Sequence, residues 1–592
     1  MEEDMPDLLF SSGSKFDTSK TVLWQWLNNN ADVVKTLALK NLTAYTNKNF
    51  ICGWHIELNY NNENFKFHIL VDSHFPYSPI RIAYKTGDKF LQWPHFEPHG
   101  LLCLPIVDTE DIEAQVNELL LHAIELIESC QKDNKYREDE FQNEFISYWS
   151  QSNKSIPVRS LLDTNNIASR LIYIWNNEKI KLVGENIEQL ETWLKNLDCT
   201  FNPSMITTGV FGLLSIPPIP PFPNNPRSLI KTLNKNSNGI TSLLAKIPFH
   251  QSTLIVLGAK TENSGIGLVA VELNAQSING FRRNKVYRDK INLFLRKRRG
   301  CITRKDIQRL DSQWVHGRDQ NTGLKYLKES KVLILGCGSL GSQVAMRLAQ
   351  SGVGELTLID HDLLVPANVG RHALGIDSIN SYKAYKLKLE IQRKYPHILK
   401  VKHYPRTWQQ VFNENPEVFS DNNLIISCMG EWAAEGQLSD WQDSLPKAQP
   451  IIYGWLDENG TASHAVAIVD KSISLKCIIN DNGTLRAPET EWSSNRSIQT
   501  EPACGTTFQP YGPVDVCHAE ALVTQLVIEF LTHKIYKSTH KVYAGPTSKI
   551  EEANGKWSTE HLKYRPNGFK GAFEYEKSEL LKCGICSQCG KK

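Results

Sequence analysis

Three glycines near the middle of the 592-residue chain have the spacing of a phosphate-binding turn. The segment VLILGCGSLG places Gly336, Gly338 and Gly341 as G-x-G-x-x-G between a short apolar run and the helix candidate SQVAMRLAQ. Such glycines permit a tight turn and close approach of the backbone to a ligand, and the following helix presents free N–H groups to phosphate. Asp360, at the end of the next apolar run, is placed to accept a hydrogen bond from a ribose hydroxyl. The pattern therefore predicts a nucleotide site.

Three polar side chains behind Asp360 distinguish between two uses of such a site. Oxidoreductases bind NAD with the same glycine pattern, so the fold alone does not choose between hydride transfer and adenylation. Asn368, Arg371 and Lys383 follow Asp360 within one short stretch. Displacement at an α-phosphate needs cations that stabilise charge on the transferring and leaving groups. The cluster therefore favours ATP.

Candidate nucleophilic cysteines lie in two regions of the chain. A thiolate can capture an acyl adenylate as a thioester, so a cysteine in a polar loop is the feature to seek. Cys504 lies in such a loop and is the favoured acceptor; Cys517, which opens the apolar helix candidate CHAEALVTQLVIEFL, is the alternative acceptor or a core filler. Cys103 lies in LLCLP, where a structural cysteine is the alternative to a nucleophile.

The last ten residues carry a third group of cysteines. The spacing C-x-x-C-x-x-C lets neighbouring thiolates share one tetrahedral zinc, and its members are Cys583, Cys586 and Cys589. A fourth ligand would have to come from elsewhere, with a histidine, Cys477, Cys504 and Cys517 as candidates. The alternative is an unligated tail.

Composition excludes several classes of protein. The chain is 41% apolar and 22% charged, which is ordinary for a globular protein and excludes a disordered or fibrous one. The chain has 66 basic and 64 acidic residues, so its net charge creates no long-range attraction for a polyanion. Nucleic acid is therefore not an expected partner. The acidic start MEEDMPDLLF, the lack of long apolar windows and the scattered cysteines predict a cytoplasmic protein with no membrane segment.

Three domains are expected from changes along the chain. Residues 1–160 contain the strand candidates FICGWHIELNY, NFKFHILVD and IRIAYK and the helix candidate QVNELLLHAIELIESC, which is an α+β pattern. Residues 161–316 are a mixed α/β linker domain whose basic run FRRNKVYRDKINLFLRKRRG is interpreted as a solvated face, with a nucleotide contact as the alternative. Residues 317–592 form a Rossmann-like α/β domain.

The segments GCGSLG, LIDHD and NVGRH, with the later lysine, resemble the adenylation domain of the ubiquitin-activating superfamily. The resemblance covers residues from about Gly317 to the C-terminus. It implies that Asp360 holds the ribose of ATP and that the triphosphate is held by Asn368, Arg371 and Lys383. It also implies a homodimer through this domain, in which Arg318 reaches the partner subunit's site, and an acceptor cysteine in the region of Cys504.

One departure from this family concerns Mg²⁺. Where the family has a magnesium-binding aspartate in a D-C-T-D-N-like segment, this chain reads S-C-M-G-E from Ser427 to Glu431. Asp362 and Glu431 are the alternatives for the missing ligand. Related adenylyltransferases hold a structural zinc with two C-x-x-C pairs, of which this chain has no second pair.

The segment IRIAYKTGDKFLQWPHFEPHGLLCLP resembles the active-site segment of ubiquitin-conjugating (E2-type) enzymes. Gly100 and Pro94 match the family's glycine and the proline of its His-Pro-Asn tripeptide, whereas Trp93 replaces the histidine and His95 the asparagine. The resemblance implies that Cys103 carries a thioester. Stabilisation of the oxyanion, the usual work of the asparagine, then falls to His95 or to backbone N–H groups.

Both segments in one chain resemble the bacterial fusions encoded in CBASS anti-phage operons. That resemblance implies adenylation of the C-terminus of a cGAS-like nucleotidyltransferase, thioester transfer from Cys504 to Cys103, and conjugation to an amine on a target protein. The alternatives are a sulfur-carrier adenylyltransferase of cofactor biosynthesis, which does not need the Cys103 region, and a non-catalytic binding module.

Overall fold

The chain folds into two compact units. The computed structural model describes residues 13–45, 48–150, 156–177, 179–236, 239–244, 246–247, 252–261, 265–273, 302–398, 400–492, 499–500, 507–508 and 510–577. Within these residues, no helix combines the length and apolar character needed to cross a bilayer. The first unit comprises Met1–Val158, Thr164–Lys181 and Thr207–Gln308, and the second comprises Arg159–Asp163, Leu182–Ile206 and Arg309–Lys592. Residues 161–316 occur in both units, and the three expected domain boundaries stay a prediction.

The N-terminal part of the first unit is α+β, as predicted. Its sheet is antiparallel with strand order β1-β2-β3-β4. The elements are α1 (Gly13–Asn30), β1 (Val33–Thr36), α2 (Leu39–Leu42), β2 (Phe50–Tyr60), β3 (Glu63–Asp72), β4 (Arg81–Tyr84), α3 (Ile112–Lys132), α4 (Asn134–Asn143) and α5 (Phe145–Ser150).

Helix α3 covers the sheet because its apolar residues recur at helical spacing. Asp111 caps the helix by accepting hydrogen bonds from the backbone N–H groups of Glu113 and Ala114. Buried residues of α3 and α1 share one core with β3, as Leu120, Leu23 and Phe67 illustrate. The closing helix expected for this region is thereby confirmed.

Helix α5 belongs to a second core of the same unit. Phe145 and Trp149 pack with apolar residues of the strands that follow, including Val210 and Val269. The elements of this region are β5 (Val158–Ser160), β6 (Arg170–Asn176), β7 (Lys181–Gly184), α6 (Ile187–Asn196), β8 (Ile206–Leu214), α7 (Pro226–Asn236), α8 (Ile240–Leu244), β9 (Thr253–Lys260), β10 (Ile266–Leu273) and β11 (Ile302–Arg309). Within the first unit the strand order is β6-β8-β9-β10-β11, with β8 and β9 parallel.

The second unit contains an eight-stranded sheet of order β14-β13-β12-β15-β16-β17-β21-β23. Its elements after β11 are α9 (Ser312–Val315), α10 (Leu324–Glu329), β12 (Lys331–Leu335), α11 (Ser339–Ser351), β13 (Glu355–Ile359), α12 (Lys383–Lys394), β14 (Lys400–Tyr404), α13 (Trp408–Glu414), α14 (Glu417–Ser420), β15 (Leu424–Ser427), α15 (Trp432–Ser444), β16 (Ile451–Leu456), β17 (Ala462–Ile468), β18 (Thr490–Trp492), β19 (Gln499–Thr500), β20 (Thr507–Phe508), α16 (Pro513–Leu531), β21 (Thr539–Ala544), α17 (Thr547–Glu552), β22 (Gly555–Trp557), α18 (Thr559–Leu562) and β23 (Phe573–Glu576).

Strand β12 lies inside the parallel part of this sheet, between β13 and β15. Val332 and Ile334 point into one buried core, whereas Leu333 and Leu335 point into another on the opposite face. A parallel strand covered by helices on both faces reads as a continuous apolar run, which explains the sequence VLIL. The carboxyl ends of β12 and β13 run directly into Gly336 and Asp360. The Rossmann-like expectation is confirmed.

Candidate active sites

The glycine turn after β12 uses its three glycines in two different ways. Gly336 has φ +84°, and a Cβ on Gly341 would lie 1.9 Å from the Gly336 carbonyl oxygen, so both positions require close backbone packing. A Cβ on Gly338 would meet no heavy atom within 4 Å. Gly338 is the N-cap of α11, whose free N–H groups face this open space. The turn therefore offers an anion-binding surface.

Asp360 is fixed beside this turn by the backbone. Its Oδ2 accepts a hydrogen bond from the Cys337 N–H at 2.6 Å, and its Oδ1 accepts one from the Asp362 N–H at 2.8 Å. Burial raises the pKa of Asp360, although these two N–H groups and Lys383 act in the opposite direction. Each carboxylate oxygen keeps a lone pair that can accept from a ribose hydroxyl.

The predicted cations lie close to the same turn. Lys383 Nζ is 2.8 Å from Asp362 Oδ2, and Lys383 is buried at the start of α12. The Arg371 guanidinium lies 5.0 Å from the centre of the Tyr511 ring, whose hydroxyl is 3.1 Å from Ser339 Oγ in the first turn of α11. Tyr511 thus connects Arg371 to the glycine turn.

Asn368 and Arg318 have less defined surroundings. Asn368 ends a short 3-10 helix, Pro366–Asn368, and its Oδ1 accepts from the Val365 N–H at 3.4 Å. Arg318 is exposed and has φ +50° in the turn after α9. The structure therefore groups Arg371 and Lys383 with the glycine turn more clearly than it groups these two residues.

His372 is a further residue of this site that the motif did not identify. Its Nε2 donates to the Cys337 carbonyl oxygen at 2.7 Å, and its Nδ1 accepts from the Leu374 N–H at 3.0 Å. Burial lowers the pKa of His372 to about 4, so the ring is neutral at pH 7. Its role is to hold the glycine turn against the Arg371 segment. The only sequence signal was its position next to Arg371.

A cavity of about 760 Å³ extends from Gly338 and Ser339 along the ends of β15 and β16. Glu435 lines it, accepts a hydrogen bond from Ser427 Oγ at 2.7 Å, and has a pKa raised to about 7 by burial. Gly430, with φ +65°, also lines this region. Ser427 thus supports a buried acid where the D-C-T-D-N-like segment was sought.

The metal ligands left open by the sequence can be compared in this geometry. One ligand atom from each of Asp360, His361 and Asp362 lies within 4.8 Å of the others. Carboxylates together with phosphate oxygens are the usual ligands of Mg²⁺, and Asp362 is half exposed beside Lys383. Glu431 instead forms the exposed N-cap of α15. The arrangement around Asp362 fits Mg²⁺ better than Glu431 does.

Cys103 lies on an exposed loop that is held from both sides. Its backbone N–H donates to the His95 carbonyl oxygen at 2.9 Å. Next to this bond, Leu102 and Phe96 form an antiparallel β-bridge that continues the pairing. Gly100 has φ +79°, and a Cβ there would lie 2.2 Å from the Tyr84 carbonyl oxygen, so only glycine permits the turn. The family glycine therefore has a steric reason in this chain.

The His95 imidazole and Cys103 line the same cavity. The pKa of His95 is raised to about 9, chiefly by a hydrogen bond with the Cys103 side chain and also by Glu140 and Glu144, while burial acts in the opposite direction. His95 Nε2 is 2.9 Å from Glu140 Oε2, and its Nδ1 is 3.6 Å from Glu144 Oε2. The His95 backbone N–H donates to the Tyr148 hydroxyl at 2.7 Å. The arrangement can hold an imidazolium beside a nucleophilic sulfur.

Trp93, which replaces the family's histidine, is a core residue. Its ring stacks on Tyr84 with 6.4 Å between centroids and meets Phe96 edge-on at 5.5 Å. Beside Cys103, a cavity of about 430 Å³ is lined by residues that include His122, Glu125 and Glu144. The cysteine therefore opens onto an acidic cleft.

The other predicted cysteines fall in two groups. Cys504, Cys583, Cys586 and Cys589 lie outside the described residues. Cys517 is exposed, which makes the core-filler interpretation wrong. Helix α16 begins at Pro513 and not at Cys517 as expected, because Asp515 accepts from the Gly512 N–H at 2.9 Å and caps the helix earlier.

Comparisons with known proteins match both parts of the chain. The ThiF family model matches residues 314–559, and the model of prokaryotic E2 family B matches residues 26–158. An ATP-dependent ubiquitin transferase-like protein Cap2 of Escherichia coli is 22% identical over 518 residues, which cover 76% of this chain and 83% of that one. A Cap2 of Pseudomonas aeruginosa is 24% identical over 38% of this chain and 40% of its own.

Among solved structures, that of E. coli MccB with ATP matches with a TM-score of 0.31 and 19% identity over 45% of this chain and 68% of that one. The two family models follow the same order along the chain as the two sites described above. The chain is therefore similar to Cap2 proteins, with a region similar to prokaryotic E2 family B followed by a region similar to the ThiF family.

Proposed function

We propose that this chain uses ATP to adenylate the C-terminus of a protein, carries the acyl group as a thioester on Cys504 and then on Cys103, and joins it to an amine on a target protein. The observation that carries the proposal is the presence in one chain of a phosphate-binding turn with adjacent cations and of an exposed cysteine that lines one cavity with a histidine. The domains would be 1–160 for conjugation, 161–316 as a linker and 317–592 for adenylation.

In the first reaction, a carboxylate oxygen of the acyl substrate attacks the α-phosphorus of ATP and pyrophosphate leaves. The N–H groups after Gly338 bind phosphate, Asp360 accepts from the ribose, and Arg371 and Lys383 stabilise charge on the phosphates. Asn368 is the further phosphate ligand of this proposal. Asp362 would hold Mg²⁺, which neutralises phosphate charge when bound.

In the later reactions, thioester exchange moves the acyl group to Cys103, and an amine attacks there. The acidic cleft beside Cys103, with Glu125 and Glu144, suits the approach of a cationic lysine side chain. His95 or backbone N–H groups would stabilise the oxyanion. Carrying both cysteines in one chain raises the effective concentration of one thiol for the other.

The carrier and the assembly follow from the resemblance to CBASS fusions and from the relatives named Cap2. We infer that the carrier is a cGAS-like nucleotidyltransferase, activated through its C-terminus in anti-phage defence in the cytoplasm. The adenylation domain would form a homodimer, with Arg318 serving the partner subunit. Zinc would be bound by Cys583, Cys586 and Cys589 with a fourth ligand from elsewhere in the chain.

The test is a single-turnover reaction with ATP and the purified nucleotidyltransferase, separated on non-reducing gels. Two adducts that are cleaved by reductant are expected, one lost in Cys103→Ala and both lost in Cys504→Ala. A sulfur-carrier adenylyltransferase would give at most one such adduct, and a binding module none. Loss of both adducts in Cys517→Ala, with Cys504→Ala unaffected, would move the first thioester to Cys517.

A further inference from the structure

We propose that Cys103, His95 and Glu140 form a catalytic relay, in which His95 accepts the proton of the attacking amine and Glu140 positions the ring. This inference rests on the proposed function and deepens it. The E2-type motif has an asparagine where this chain has His95. An asparagine side chain donates a hydrogen bond but takes up no proton at neutral pH. A histidine in the same place can do both.

The geometry is that of an activated nucleophile. His95 and Cys103 line one cavity, the Cys103 backbone N–H donates to the His95 carbonyl oxygen at 2.9 Å, and Glu140 Oε2 lies 2.9 Å from His95 Nε2. A nucleophile and a base in contact, with a third group that orients the base, is the arrangement that recurs in enzymes that form acyl intermediates. Glu140 is a positioning residue here because it acts through His95.

The backbone holds the ring in this place. His95 has φ +60°, its N–H donates to Tyr148 at 2.7 Å, and its carbonyl oxygen accepts from Cys103 at 2.9 Å. These bonds fix the backbone on both sides of His95, and the ring itself is held by Glu140, whose contact it would lose on turning away. The relay is therefore part of the folded loop.

The groups around His95 determine when the ring can accept a proton. They come from α3, α4 and α5 and the turn between the last two, and are His122, Glu125, Tyr136, Glu140, Glu144 and Tyr148. The hydrogen bond with Cys103 is the largest cause that raises the pKa of His95. Once the sulfur is acylated, this contribution is removed and only the carboxylates oppose the effect of burial. Loading of the acyl group therefore makes the ring a better proton acceptor at neutral pH.

The steps balance as follows. On loading, the Cys103 thiolate bonds to the acyl carbon, the bond from that carbon to the donor cysteine breaks, and the donor leaves as a thiolate that takes up the proton of the His95 imidazolium. On transfer, the nitrogen of a neutral amine bonds to the acyl carbon and the carbon–sulfur bond breaks, with its electron pair remaining on Cys103. The proton lost by the nitrogen goes to His95. The products are an amide and an imidazolium beside a thiolate, which is the pair from which the cycle began.

The decisive variant is His95→Asn, which installs the residue of the E2-type motif. The full chain is loaded on Cys103, and discharge of the thioester to hydroxylamine is measured from about pH 6 to pH 9, where this amine is mostly neutral and His95 titrates. In the wild type the rate should rise as His95 loses its proton. In His95→Asn it should fall by about 100-fold at neutral pH and lose this dependence.

Two carboxylate variants complete the series. Glu140→Gln should give an intermediate loss and shift the pH profile to lower pH, because the His95 ring loses the charge that raises its pKa. Glu138→Gln, an exposed position on the same helix, should behave as the wild type. Discharge of His95→Asn at the wild-type rate with the wild-type pH profile would overturn the relay and leave hydrogen-bond donation as the role of residue 95.

A second measurement needs no carrier protein. The full chain is labelled with ¹³C-histidine, the His95 signal is identified by its loss in His95→Asn, and its titration is compared between wild type and Cys103→Ala. The midpoint should lie near pH 9 in the wild type and lower in Cys103→Ala. An unchanged midpoint would overturn the relay. If instead the wild type never forms a Cys103 thioester, the proposed function fails, while this titration still decides on the contact.

Discussion

The nucleotide site and the cysteine site are built in different ways. Around the glycine turn, Gly336, Asp360 and His372 are held by bonds with backbone groups of the turn and of the segments that follow β13. Around Cys103, His95 is held by side chains of Glu140 and Tyr148, which lie 45 and 53 positions further along the chain. A site held by backbone groups can be predicted from the spacing of neighbouring residues in the sequence. A site held by side chains depends on which residues of a distant helix face inward, and spacing does not show this.

The largest expected effect concerns the glycine turn of the nucleotide site. Gly341→Ala would place a Cβ 1.9 Å from the Gly336 carbonyl oxygen, so the turn must move, and we expect a loss of about 3 kcal/mol in unfolding free energy together with loss of ATP–pyrophosphate exchange. Gly338→Ala meets only open space and should change stability by less than about 1 kcal/mol while weakening ATP binding. Thermal unfolding and the exchange assay separate the two. Equal stability of both variants would contradict this account of the turn.

The next effect separates binding from folding at the same site. Asp360→Ala and Arg371→Ala should abolish carrier-dependent pyrophosphate exchange, since the proposed function assigns the ribose to Asp360 and charge on the phosphates to Arg371. Arg406→Ala, at a half-exposed arginine paired with Glu414, is the matched control and should retain exchange. Retained exchange in both site variants would remove the adenylation proposal, and tighter binding of NAD than of ATP would replace it with an oxidoreductase.

A pH effect of intermediate size is expected from Glu435, which lines the cavity beside the glycine turn. The folded-state pKa of Glu435 is raised by burial from 4.5 to about 7, so the folded protein holds this proton more tightly than the unfolded chain. Stability from this group is full below about pH 4.5 and is lost as pH rises towards 7, by about 3 kcal/mol in total. Glu435→Gln should flatten the pH dependence of unfolding over this range. An unchanged pH dependence in the variant would show that another group titrates there.

The smallest effect concerns the altered tripeptide. Trp93→His restores the histidine of the E2-type motif but removes an indole that packs on Tyr84 and Phe96. We expect a loss of about 2 kcal/mol in unfolding free energy. The rate of hydroxylamine discharge from Cys103 should change by less than that of His95→Asn. A stabilised Trp93→His variant would show that the aromatic packing contributes little here.

The sequence predicted most of the nucleotide site and part of the cysteine site. The G-x-G-x-x-G spacing, the apolar run VLIL and Asp360 were sufficient because their contacts are local. Glu140 was missed because α4, NKYREDEFQN, contains three acidic side chains in succession, and nothing in that run shows which one faces inward. Tyr511 was missed because its contacts, with Arg371 and Ser339, are with residues far away in the sequence. By contrast, the start of α16 could have been predicted, since Pro513 and Asp515 are common in the first turn of a helix.

Helix α5 has a consequence for anyone who wishes to excise the conjugating region. Tyr148 supports His95, whereas its neighbours Phe145 and Trp149 fill a core made with β8, β9 and β10, where Gly267 leaves room for the Phe145 ring. A fragment that ends after residue 150 would keep Cys103 and its motif but expose these two rings to water. We therefore expect that the conjugating region does not fold correctly as a fragment of residues 1–150. A fragment designed to retain Cys103 in its folded loop should extend at least to the end of β10.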